Sequence, residues 1–311
     1  MADFFGVTLL AVAATCCCPT CCCPTCYICP ENFVNKPLRF FRNTPILPGF
    51  SMSFGFSTLY LSLVILLPIS ALLVYVSGMS WHQYLFAITD ARVIQSYKVT
   101  LTGAFFSTIA VTFVGFLMAW IITRYEFPGR RLIDSLVDLP FALPTSVAGI
   151  TLSALFIPSG WLGRWFDVFG IKISYAFPGI IVAMMFTSLP FIVRSVQPVL
   201  EDLDAELEEA ATMLGANRWQ IFWRVLLPTL MPALITGSSQ AFIRSLGEFG
   251  AVIMLAGNIP FKTEVTSLML FVRLQEYNYP AAAAIASVVL LASLSLLFLL
   301  QIVQSRLFRK S

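Results

Sequence analysis

Four groups of residues have types and spacings that suit chemistry. All eight cysteines lie between Cys16 and Cys29, in a tandem repeat of Cys-Cys-Cys-Pro-Thr. The gaps from Cys18 to Cys21 and from Cys26 to Cys29 are those of zinc knuckles and redox pairs. No second pair occurs farther along, so reversible acylation and a low-complexity extension stand beside metal or redox chemistry as readings of the tract. Arg244 and Glu248 are four apart with Ser245 between them, the spacing of an ion pair on one helical face. Asp138 to Ser146 combines an acid, Pro140, Pro144 and the hydroxyls of Thr145 and Ser146. An acidic cluster, Glu201, Asp202, Asp204, Glu206, Glu208 and Glu209, precedes Ala210 and Ala211.

Several chemistries are excluded. No glycine is followed five positions later by Gly-Lys, so the chain has no phosphate-cradling loop for ATP. There is no His-Glu-x-x-His, and the single histidine, His82, cannot build a zinc or serine-type site. The chain is expected to have no catalytic site, no metal site and no cofactor of its own.

The elements that position these groups are set by composition. With 58% hydrophobic and 11% charged residues and a mean hydropathy of +0.85, the chain is far from the roughly 25% charge of soluble domains. It reads as an all-α polytopic membrane protein that contacts lipid, and its net charge of +3 gives no indication of nucleic-acid binding. About six segments reach the roughly 20 apolar residues needed to cross a bilayer: 57–77, 97–123, 135–157, 176–197, 229–256 and 281–303. The division expected is an N-terminal extension over 1–45 and a membrane domain over 46–311.

Lysine and arginine collect in cytoplasmic loops. Twelve lie on one side of the six-span scheme (Lys36, Arg39, Arg42, Arg124, Arg130, Arg131, Arg194, Arg218, Arg224, Arg306, Arg309 and Lys310). Six lie on the other: Arg92, Lys98, Arg164, Lys172, Lys262 and Arg273. Both termini and the Glu209 loop are therefore expected in the cytoplasm, with His82 opposite. The apolar run Phe4 to Ala14 lacks a preceding basic residue and is not expected to be a signal peptide.

Within the spans, an arginine near a helix centre costs about 2.5 to 3.5 kcal/mol, so Arg244 must face protein or water and gains from its pair with Glu248. Either Arg244 lends positive potential to an anion pathway that Glu248 steadies or gates, or the pair is a structural bridge toward a partner. Thr145 and Ser146 either line a pathway or only recover hydrogen bonds lost to Pro144.

The polar island at 200–228 reads as a helical hairpin. Gly215 accepts the left-handed backbone that ends a helix, and Asn217 can cap the next. In the second arm Trp219, Phe222, Trp223 and Leu226 fall at i, i+3, i+4 and i+7, on one face. That face suits packing on its own subunit, the lipid interface or a groove on another protein.

Glu209-Ala210-Ala211, Gly215 and Val225-Leu226-Leu227-Pro228 resemble the EAA loop of ATP-binding-cassette importer permeases, with Val225 where isoleucine is more usual. From about Leu47 onward, roughly 265 of 311 residues, the chain resembles the T-type permease (CysT) family of bacterial sulfate and thiosulfate importers. The resemblance rests on Leu139 to Thr145, Arg194 to Leu200, Arg244 to Val252, Lys262 to Met269 and Phe271 to Tyr277. Leu246 to Gly250 is shared with molybdate permeases, so that run alone does not name the anion.

The resemblance implies a type I importer permease fold with a cytoplasmic EAA loop, in the bacterial inner membrane. It implies a W-type permease, an ATPase dimer that binds ATP and Mg, and a periplasmic sulfate-binding protein as partners, with sulfate or thiosulfate as substrate. Glu209, Ala210, Ala211, Gly215, Trp219, Trp223 and Pro228 would couple to the ATPase. Arg244, Ser245, Glu248, Thr145 and Ser146 are the pathway candidates. A molybdate or other oxyanion importer, an ion-coupled secondary transporter and a membrane thiol oxidoreductase using Cys16 to Cys29 are the competing readings.

Overall fold

The computed structural model describes residues 50–203 and 205–308. The cysteine tract, Lys36, Arg39, Arg42, Arg309, Lys310, Asp204 and the division expected at 45/46 lie outside the described residues. The chain divides into two units, Met1–Tyr60 and Leu61–Ser311.

Every described element is helical. In chain order they are α1 (Phe50–Ser77), α2 (Trp81–Thr89), α3 (Ala91–Arg124), α4 (Arg130–Val137), α5 (Leu139–Ala142), α6 (Thr145–Phe156) and α7 (Gly163–Val168). They continue with α8 (Phe177–Glu201), α9 (Ala205–Met213), α10 (Arg218–Leu246), α11 (Gly250–Ala256), α12 (Thr266–Gln275) and α13 (Tyr279–Phe308). Five, namely α1, α3, α8, α10 and α13, are long and apolar enough to cross a membrane. On α13 Leu291, Leu294 and Phe298 are exposed, as lipid contact requires.

The pair α3 and α8 forms the spine. A Cβ at Gly103 would lie 3.1 Å from Ile180, and one at Gly115 2.8 Å from Ile192. Glycine at these positions lets two helix backbones approach, the small-residue packing that replaces hydrophobic driving force in lipid. Because both partner numbers rise together, α3 and α8 run parallel. The segment between them must therefore carry the chain back across, and it does so antiparallel to α8. Arg194 meets Asp138, Phe141 packs edge-on to Phe191, and Phe156 packs into the cluster of Ile180 and Met184.

This return corrects the expected span 135–157, which is not one helix. Pro140 lies in the first turn of α5, Leu143 is extended at φ −90° and ψ 136° as a residue before proline prefers, and Pro144 is the cap residue just ahead of α6. With 12 residues, α6 covers about 18 Å, short of the roughly 30 Å hydrocarbon core. From Leu139 to Phe156 the chain runs as α5 and then α6, joined at Leu143 and Pro144.

The expected span 229–256 is also broken. α10 runs antiparallel to α8, with a Cβ at Gly237 placed 3.0 Å from Ser195, and stops at Leu246. Gly247, Glu248 and Phe249 turn the chain before α11. Two larger apolar clusters fill the bundle, Val99, Ile180, Met184, Val252 and Leu255 toward the Asp90 end and Ile122, Val193, Val196 and Leu230 toward the Arg124 end, and a smaller third joins Val93, Met269 and Ile285.

Candidate functional site

The two helix breaks meet. A Cβ built on Gly250 would sit 2.3 Å from Thr145 Oγ1 and 3.0 Å from both Ser146 N and Ser146 Oγ, so only glycine allows this contact. One turn on, a Cβ at Gly149 would strike Ala251 Cα and Met254 Cβ at 2.8 Å. The starts of α6 and α11 are thereby pressed together, about 18 Å of helix away from Phe156.

Breaking a helix in lipid frees backbone groups that protein must satisfy. Glu248, 1% exposed, does much of this. Its Oε1 accepts from Ala251 N at 3.2 Å, while Oε2 takes Arg244 Nη1 at 2.7 Å. Its own carbonyl accepts from Ser267 Oγ at 2.8 Å. The expected pair is present, but Glu248 lies past the end of α10 rather than on it. Arg244, 33% exposed, keeps further N–H donors beyond the one Glu248 takes. Ser245 is buried and spends its hydroxyl on Ala241 O at 2.9 Å. Thr145 is half-buried and Ser146 exposed.

A cavity of about 290 Å³ opens beside the break, lined by Leu246, Gly247, Phe249, Thr266, Ser267 and Phe271 among others. Its walls are mostly apolar, the wrong chemistry for a desolvated dianion. Of the expected pathway residues, the structure gathers Arg244, Glu248, Thr145 and Ser146 around one crossing and turns Ser245 into the core.

The polar island forms a second site. α9 ends at Met213, and Gly215 adopts φ +81° with open space where a Cβ would stand. Ala216 N donates to Ala211 O at 3.1 Å, closing the turn in the Schellman manner. Asn217 N then donates to Gln220 Oε1 at 2.9 Å to start the second arm. Glu209, Ala210 and Pro228 are exposed and Ala211 half-buried, so the motif faces outward.

Of the single apolar face expected for Trp219, Phe222, Trp223 and Leu226, the three aromatic rings are together, with centroids 6.1, 5.6 and 5.7 Å apart, and Leu226 leaves them. Residues Phe222–Leu226 wind as a π-helical turn, which inserts a residue into the 3.6 period and rotates the positions after it. Leu226 and Ile221 turn inward, at 4% and 8% exposure, whereas Trp219 and Trp223 stand 67% and 49% exposed. Phe222 is half-buried against Trp120, edge to face at 5.8 Å.

Ion pairs at the ends of the bundle were not legible from spacing. Arg194 Nε and Nη2 bind the two oxygens of Asp138 at 2.9 and 2.6 Å, and its Nη1 reaches Asp134 at 2.7 Å. Arg92 pairs with Glu264, Arg273 with Asp90 and Glu276, and Arg124 with Glu208. Each joins residues from separate elements except Arg273 with Glu276. Among the described residues no group of three or more His, Cys, Asp or Glu side chains is placed to hold a metal.

The described helices form a bundle with five members of membrane-crossing length, two broken helices and an outward-facing helical hairpin. The chain belongs to the family of binding-protein-dependent transport system inner membrane components, whose model matches residues 111–310. It is 59% identical over 265 residues to a protein of Escherichia coli K12 named sulfate transport system permease protein CysT, covering 85% of this chain and 96% of that one. A protein of the same name from Synechocystis is 45% identical, over 79% of this chain and 86% of the relative. The fold matches a crystal structure of a bacterial ABC transporter that imports alginate, at a TM-score of 0.67 and 19% identity, covering 82% of this chain and 95% of the other. A bacterial alginate ABC transporter in complex with its pentasaccharide-bound periplasmic protein gives 0.66 at 20% identity, over 83% and 94%.

Proposed function

We propose that this chain is the T-type permease subunit of an ATP-driven sulfate and thiosulfate importer of a bacterial inner membrane. The observation that carries this reading is the 59% identity over 265 residues with a sulfate permease, extending across 96% of that protein. Residues 46–311 form the permease domain, both termini face the cytoplasm, and a W-type permease completes the pathway. An ATPase dimer binds ATP and Mg, and a periplasmic sulfate-binding protein delivers the anion.

In this reading the exposed Glu209, Ala210 and Gly215, with Trp219 and Trp223, seat in the ATPase. The small residues permit close approach, and Glu209 pairs with a basic group there. Closure of the ATPases draws the hairpins together, and the displacement enters α10 at Pro228. Alternating access requires two states with different affinity for the coupled ligands. The crossing of α6 and α11 offers the place where they differ: two short helices meet at glycines, with Arg244 half-exposed beside them as a positive group for an anion. Thr145 and Ser146 supply hydroxyls at the same level. The chain itself catalyses no bond change.

Radiolabelled sulfate uptake tests this, in a sulfate-permease-deficient bacterium given the chain and its partners, with thiosulfate and molybdate as competitors. Uptake that needs both the ATPase and the binding protein is expected. An assembled complex that imports molybdate but not sulfate would keep the architecture and overturn the substrate.

A further inference from the structure

The acidic arm of the hairpin has little packing to carry a load. On α9 Leu207 is 49% exposed, and at its end Met213 and Leu214 are 91% and 89% exposed. A displacement of α9 needs some other connection to reach the membrane helices. That connection is Arg124, the last residue of α3, whose Nη2 hydrogen-bonds Glu208 Oε1 across 84 positions of sequence. Both side chains are substantially withdrawn from water, at 25% and 32% exposure. The Arg124 guanidinium also lies over the Trp120 ring, 5.4 Å from its centroid.

Trp120 is one turn earlier on the same face of α3, and it receives the other arm. Phe222, the first residue of the π-helical turn, meets Trp120 edge to face at 5.8 Å and Phe116 at 6.3 Å. Phe222 lies between α3 and the more exposed Trp219 and Trp223, whose rings it meets at 6.1 and 5.7 Å. Both arms of the hairpin thus end on the final turns of α3. α3 in turn lies against α8 through Gly103 and Gly115.

We infer that Arg124 and Trp120 fasten the coupling hairpin to α3, so that ATPase motion enters the bundle through the α3 and α8 pair as well as through α10. Arg124 is a positioning residue. It touches no substrate, and it sets where Glu208, and therefore the neighbouring Glu209 motif, sits. This rests on the coupling role proposed for the hairpin.

The test uses the complete transporter, permeases, ATPases and binding protein, in lipid nanodiscs and proteoliposomes, with Glu208→Gln, Arg124→Ala, Trp120→Leu and the exchange Arg124→Glu with Glu208→Arg. Glu208→Gln keeps size and shape, which protects assembly. Amide exchange across 205–213 is read first, with no anion present. It should quicken about two- to fivefold in Glu208→Gln and Arg124→Ala, the range of a partly exposed ion pair. Anion imported per ATP hydrolysed should then fall about fivefold, with ATP hydrolysis retained and the charge exchange restoring both values. Wild-type exchange and a wild-type import ratio in Glu208→Gln and Arg124→Ala overturn the inference, as does an exchange variant that restores neither. The exchange readout needs no substrate, so it judges the tie separately from any failure of sulfate uptake.

Discussion

Arg92 grips Glu264 at two points, Nε to Oε2 and Nη2 to Oε1, each 2.8 Å long, across 172 positions of sequence. Glu264 is 1% exposed, so its charge is sustained by this fork alone among the described ion pairs. A planar guanidinium suits such a two-point hold, which lysine cannot copy. Arg92→Ala should therefore cost about 2 to 4 kcal/mol by stranding a buried carboxylate. Thermal unfolding of the detergent-solubilised subunit checks this, and Arg92→Ala with Glu264→Gln should recover part of the loss.

At the contact of the two broken helices, Gly250→Ala should destabilise by about 1 to 3 kcal/mol, the cost of overpacking. The new methyl would fall 2.3 Å from Thr145 Oγ1. Thr145→Ala in the same chain should return part of the stability, while Ser146, unchanged at 3.0 Å, prevents full recovery. Equal stability of Gly250→Ala and wild type would contradict the close crossing.

Glu248→Ala should be worse than Glu248→Gln. Alanine strands the buried Ala251 N and takes the partner from Arg244, about 1 to 3 kcal/mol, whereas glutamine can still accept from Ala251 N. For the pathway itself, Arg244→Lys and Arg244→Ala should both assemble and both lose uptake. Failure of both to assemble, seen by co-purification with the second permease, would return the pair to a purely structural role.

Gly215→Val should abolish uptake while leaving the binding protein's affinity for sulfate intact. No atom lies within 4 Å of the position of its Cβ, so the penalty is backbone alone: φ +81° costs an ordinary residue about 1 to 2 kcal/mol and a branched one more. Gly215→Asn, which tolerates that conformation, should retain most uptake. Full uptake by the valine variant would remove the turn from the coupling mechanism.

Removal of residues 1–45 should leave sulfate uptake within about twofold of the full chain, whereas a thiol oxidoreductase using Cys16 to Cys29 would lose its activity. Uptake by the complete transporter is the measurement.

Local features were the legible ones in the sequence. Gly215 and Asn217 mark a turn because glycine and a cap residue act within a few positions. Arg244 and Glu248 announce a pair by their spacing. The break between them was hidden, because Leu246 to Ala256 is apolar enough to continue a span. The groups that make the break tolerable are Ser267, 19 residues on, and Glu248's own carboxylate turned back to Ala251. Pro140 and Pro144 signalled a bend in the third crossing but not three separate helices. Spacing brings Trp219, Phe222 and Trp223 together as expected, while Leu226 leaves them because the π turn departs from 3.6 residues per turn. Arg124 with Glu208 and Arg92 with Glu264 are long-range pairs that no spacing rule reaches.

The described ion pairs divide the bundle into levels. Those that tie separate helices together, through Arg92, Arg273, Arg124 and Arg194, lie toward its ends. Where α6 meets α11 the hold is of another kind: close glycine contacts at Gly149 and Gly250, and one buried carboxylate, Glu248, whose Oε1 accepts from Ala251 N and whose Oε2 takes Arg244. At that level a single side chain carries all of the ionic cross-linking among the described residues.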